Sequence, residues 1–127
     1  MKVWFLILSI SLGMVGCSDD LQEFPLTLLS GAEPSAKSRN DYGIEHYKAG
    51  RYLEALLQFN QANFADSSSG EIYFNLGLAY YQEGKIEKAI KSFRKARQLA
   101  KGNPKILNSN LLNRLLASQI ADFSPRQ

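Results

Sequence analysis

The chain has 127 residues, 45% of them hydrophobic and 21% charged, with a single cysteine. That length suits one domain, the balance excludes a largely disordered chain, and one cysteine excludes an internal disulfide. The formal net charge of +3 is too small to mark a nucleic-acid binder, and it is unevenly spread: residues 17–66 hold four basic and eight acidic side chains, residues 67–127 ten basic and four acidic. The chain therefore runs from an acidic half to a basic half.

The N-terminus opens with Lys2 and is apolar from Val3 to Gly16. A membrane-spanning helix needs roughly 20 such residues, so the run reads as a secretory signal. Its end, Met14-Val15-Gly16-Cys17, resembles the lipobox of bacterial lipoproteins, with Met14 where Leu is more usual. The resemblance implies removal of residues 1–16, a lipidated Cys17 carrying palmitate-type acyl chains, and a periplasm-facing protein anchored to a membrane. Ser18 after the cysteine points to the outer rather than the inner membrane. The alternative is that Cys17 is a buried thiol after an N-terminal helix.

Residues 17–34 hold Pro25, Gly31 and Pro34 around a small apolar knot, Phe24 to Leu29. No helical period runs through them, so this stretch is expected to be a flexible tether. Fully extended, residues 18–34 would reach on the order of 55 Å.

Residues 35–127 are expected to form the folded domain. GRYLEALLQFNQA (50–62) and GKIEKAIKSFRKA (84–96) share one skeleton at an offset of 34: Gly43 pairs with Gly77, Tyr47 with Tyr81, Gly50 with Gly84, Ala55 with Ala89, Phe59 with Phe93 and Ala62 with Ala96. Self-similarity at this period marks a helical repeat array. The physical reading is two helical hairpins. Gly43 and Gly77 let the partner helix come close, the alanines keep the second helix thin, and Phe59 and Phe93 fill the gap between helices. Gly50 and Gly84 end the first helices, Ser68 with Glu71 suggests a capping box for the third, and Asn103-Pro104 suggests the start of a fifth. That fifth helix, about 104–121, is apolar at Leu107, Leu111, Leu112, Leu115, Leu116 and Ile120, a helical period.

Asn75-Leu76-Gly77, Tyr80, Gly84, Ala89, Phe93 and Ala96 resemble the tetratricopeptide repeat. The resemblance covers residues 36–103, as repeats of about 36–69 and 70–103, with the fifth helix as a C-terminal cap. It departs from the family at Tyr42 and His46 in the first repeat, and at Ser67 and Lys101 where a closing Pro is usual. It implies an all-α array that binds a protein or peptide on its concave face. By the family's register that face is Asn40, Ile44, Tyr47, Lys48, Phe74, Leu78, Tyr81 and Gln82, continued by Leu112, Leu115 and Leu116. Such a groove suits an amphipathic helix or an extended apolar segment. Only Asn75 and Lys105 sit near the positions of the subfamily that clamps acidic tails, and Ile44 stands where that subfamily has Asn, which disfavours it.

The residues themselves show no nucleophile motif, metal-ligand spacing or phosphate loop, so neither enzyme activity nor a cofactor or metal is expected. His46 is either a ligand or base, or a packing residue in the place of Tyr80; the repeat register favours packing. On the fourth helix Lys88, Lys91 and Lys95 form one stripe, either a solvated face or a contact for an anionic surface. Two other occupants of the groove stay open: the chain's own 24–29 segment, or a second copy in a homodimer paired through the leucine-rich fifth helix. The first reading is an envelope adaptor or scaffold; the alternative is a self-associating structural lipoprotein.

Overall fold

The computed structural model describes residues 22–122, leaving the signal and lipobox expectations for residues 1–17 outside the described residues. The array is all-helical: α1 (Pro34–Lys48), α2 (Tyr52–Ala65), α3 (Gly70–Gln82), α4 (Ile86–Gln98), α5 (Pro104–Leu107) and α6 (Asn110–Asp122). Pairs α1/α2 and α3/α4 are hairpins, α2 packs on α3, and α6 closes the end against α4.

The repeated skeleton does the packing it implies. Ala55, Ala62, Phe59, Ala89, Ala96 and Phe93 are all fully buried. A Cβ placed on Gly77 would lie 2.5 Å from the Phe93 ring, and one on Gly43 would strike Phe59 in the same way. The ring therefore occupies the space that a side chain on the facing helix would take. Both first helices end alike. Gly50 (φ +74°) and Gly84 (φ +72°) adopt the left-handed conformation. Arg51 N–H then donates to His46 O and Lys85 N–H to Tyr80 O, each at 2.9 Å, the six-residue closure that satisfies a helix's last carbonyls.

Three local expectations are corrected. The cap of α3 is Ser69, whose Oγ accepts from Ile72 N–H at 3.3 Å; Ser68 instead bonds the Asp66 carboxylate. The helix expected over 104–121 is broken at Asn108 and Ser109. Ser109 Oγ accepts from Leu112 N–H at 3.0 Å and starts α6 afresh, while Asn113 Nδ2 donates to Leu107 O at the end of α5. The 22–33 part of the expected tether does not run free: it lies across the array, as described below.

The start of α1 carries a pH-dependent cap. Glu33 accepts from Ser35 Oγ at 2.7 Å and from Ala36 N–H at 2.6 Å. These bonds, the Ser35 hydroxyl first, hold its carboxyl below the usual glutamate range. A depressed folded pKa means the cap is fully present above the ordinary glutamate value and is lost as pH falls through the lowered one. Protection of the Ala36 amide from exchange, taken relative to its intrinsic rate at each pH, should fall in that acid window, and Glu33→Gln should remove most of that fall. An unchanged profile in the variant would show that the carboxylate does not hold this turn.

Candidate functional site: the concave row and the segment that crosses it

The first helices of the two hairpins, α1 and α3, present Asn40 and Asn75, both fully buried. Asn75 Nδ2 donates to Asn40 Oδ1 at 2.8 Å, so the two carboxamides form one unit. That unit holds a strand of main chain. Leu26 N–H donates to Asn75 Oδ1 at 2.6 Å, and Leu26 O accepts from Asn40 Nδ2 at 2.9 Å and Asn75 Nδ2 at 2.8 Å. A buried amide must be paired, and an extended peptide unit offers one donor and one acceptor to match. Three residues earlier, Glu23 accepts from Ser109 Oγ at 2.5 Å and from Leu111 N–H at 3.0 Å, satisfying the open start of α6. Residues 23–29 thus run from α6 across α3 to α1, and Leu28 and Pro25 are buried.

The residues expected on the concave face divide accordingly. Asn40, Ile44, Tyr47, Phe74, Leu78, Leu112 and Leu116 are buried. Tyr81 and Leu115 are half-buried, and Lys48 and Gln82 are exposed. The row is therefore not an open apolar groove. Tyr47 packs edge-on to Tyr52 with centroids 5.1 Å apart, and Phe74 packs on Phe93 at 5.6 Å. Burial pushes the Tyr47 hydroxyl above its ordinary pKa, with the nearby Gln82 side chain acting in the opposite sense; among the described residues nothing hydrogen-bonds that hydroxyl. Alongside the docked segment a hollow of about 630 Å³ remains, bounded by residues 26–32, 66–71 and 99–105.

His46 is half-exposed, as its repeat equivalent Tyr80 is, and its Nδ1 accepts from Arg51 Nε at 3.1 Å. Lys88, Lys91 and Lys95 lie exposed on α4. Among the described residues, no helix is long and apolar enough to cross a membrane and no three His, Cys, Asp or Glu side chains are placed to hold a metal ion. Sequence reasoning missed Glu23 and the role of the Asn40–Asn75 pair. The available signal was an apolar knot inside a supposed tether and two carboxamides on neighbouring first helices. Their offset is 35 rather than the repeat's 34, so the repeat alignment did not pair them.

The tetratricopeptide repeat family matches residues 41–104, half of the chain, from the middle of α1 to the first residue of α5. The chain is a tetratricopeptide repeat protein. No curated protein matches it. Tetratricopeptide repeats generally mediate protein–protein interaction, and the hairpins, glycine turns and aromatic fillers described above are those of such an array. In this tetratricopeptide protein the first helices hold an extended piece of the chain's own backbone, and α5 and α6 close the solenoid end, where a terminal element must cover the last apolar face.

Proposed function

We propose that the protein is a lipid-anchored adaptor of the bacterial cell envelope, acylated at Cys17, facing the periplasm from the outer membrane, and holding one protein partner in an assembly or secretion apparatus. The anchor rests on the apolar run that ends in Met14-Val15-Gly16-Cys17. Partner binding rests on one observation: the Asn40–Asn75 pair grips both the N–H and the C=O of Leu26. A concave face built to satisfy extended main chain is suited to polypeptide, and the hollow beside residues 26–32 leaves room for a partner segment. The resident segment is then a competitor or a wall of that site.

The test is crosslinked co-purification from detergent-solubilised host envelopes. Tyr81→Ala is expected to lose a partner that wild type recovers. Leu28→Asp, which places a charge where a buried Leu28 now anchors the segment, should change recovery of the same partner. Cys17→Ser should abolish palmitate labelling and membrane association. A partner insensitive to both concave changes would move the site elsewhere, and labelling retained without Cys17 would remove the anchor from the reading.

A second reading is favoured by the same hydrogen bonds. If residues 23–29 never leave the concave row, the protein is a structural lipoprotein with a self-filled groove, and association with a second copy would be its main interaction. Recovery of nothing but itself, with a dimer by light scattering, would select that reading.

A further inference from the structure

A second hollow, of about 680 Å³, lies between α2 and α4 with α3 beneath it. It shares no lining residue with the docked segment. Its size falls within the ~300–1,000 Å³ of ordinary ligand sites. The floor is apolar and aromatic, with buried Leu76 and half-buried Tyr73 and Tyr80. One wall is Lys88, Lys91, Arg94 and Lys95 from α4, and among the described residues no acidic side chain lines the hollow. Among the described residues the single ion pair is Lys37–Asp41, so none of these four cations has an anionic partner there. The Lys88 ammonium stands 5.8 Å over the Tyr80 ring, and Arg94 donates to the neutral Gln119 amide at 2.8 Å. The opposite wall holds Asn63, whose Oδ1 is buried with no hydrogen-bond partner among the described residues.

We propose that this hollow is a docking site for a short acidic segment of a partner protein, separate from the concave row. Three requirements converge on that ligand. Four cations with no anionic partner among the described residues ask for negative charge. The Asn63 carboxamide lines the hollow and its oxygen has no partner among the described residues, so it asks for a donor. An ionised phosphate, whether free or on a lipid headgroup, offers almost only acceptors, whereas peptide main chain offers N–H groups. The Tyr73, Tyr80 and Leu76 floor asks for an apolar body between the charges. Lys88 to Lys95 spans ~10 Å along the helix, about three residues of extended chain, so two carboxylates on alternate residues of one strand, ~7 Å apart, would lie along this row while the residue between them faces the floor.

The experiment uses the full chain in neutral detergent and a short fluorescein-labelled peptide of alternating glutamate and leucine, read by fluorescence anisotropy. Lys91→Glu/Lys95→Glu should weaken binding about tenfold or more. Arg97→Glu/Arg114→Glu, the same change in net charge at exposed positions that line neither hollow, should weaken it far less. Asn63→Ala should weaken it as well, and a glutamine–leucine peptide should bind poorly. The proposal is overturned if no binding occurs, if the two double variants lose affinity equally, or if the glutamine peptide binds as tightly. It is also overturned if inorganic phosphate or phosphatidylglycerol in the micelles displaces the peptide with the same dependence on Lys91 and Lys95, since the site would then read phosphate. None of these outcomes depends on the concave row, so a failure here leaves the adaptor reading standing.

Discussion

Phe93→Ala should remove ~3–5 kcal/mol of stability, the range for deleting a fully enclosed aromatic ring. Phe93 is fully buried, lies against the bare backbone of Gly77 and packs on Phe74. The space it leaves cannot be refilled locally, because Gly77 has no side chain to lean in and Ala89 and Ala96 are too short. Against a total of about 5–15 kcal/mol for a domain of ordinary stability, the variant should melt at least ~10 °C lower. Phe59→Ala, the repeat equivalent against Gly43, should behave in the same way. The converse change, Gly77→Ala, pushes a methyl into the ring and should cost ~1–3 kcal/mol by overpacking. Thermal melts followed by far-ultraviolet circular dichroism measure all three. A Phe93→Ala protein that melts with wild type would mean that the α3–α4 hairpin is not held by this ring.

Asn75→Ala should free residues 22–30 from the array. The substitution removes the acceptor for Leu26 N–H, one of two donors to Leu26 O and the donor to Asn40 Oδ1. Each buried polar group left unpaired costs ~1–3 kcal/mol, and the segment escapes most of that penalty by leaving for water. Local opening is therefore expected in place of global unfolding. The Leu26 amide should lose its protection from hydrogen exchange, and protease should cut ahead of Pro34, while amides of α3 and α4 keep their protection. Glu23→Gln should loosen the same segment from its other end, since a neutral amide satisfies Ser109 and Leu111 less strongly than a carboxylate. If the Leu26 amide stays protected in Asn75→Ala, the segment is held by Leu28 and Pro25 packing, and the carboxamide pair is not a main-chain grip.

Much of the fold was legible because the repeat writes its packing in residue size. A glycine facing a phenylalanine, with alanines either side, admits one hairpin geometry, and Gly50 and Gly84 mark the turns through a backbone conformation that other residues enter at a cost. The site was less legible. Family register placed Tyr47, Phe74 and Leu78 on a face open to a partner. Register describes direction from a helix axis, and it carries no information about what lies on that face. Lys48 and Gln82, at the helix ends beyond the reach of the docked segment, did remain exposed.

By itself the sequence determined the two hairpins, their turns, the buried Gly–Phe–Ala seams and the stripe of Lys88, Lys91 and Lys95. Each follows from spacing within about forty residues and from side-chain volume. Only the tertiary structure decided that residues 23–29 cross the first helices, that the C-terminal helix breaks at Asn108 and Ser109, and that a hollow with an unpartnered Asn63 oxygen lies beneath the lysines. The crossing depends on hydrogen bonds between residues 14 to 88 positions apart, the break on a Ser109 hydroxyl that both caps α6 and meets Glu23, and the hollow on the gap left between packed helices. Neither a long-range bond nor a gap leaves a period in the chain that could be read before it folds.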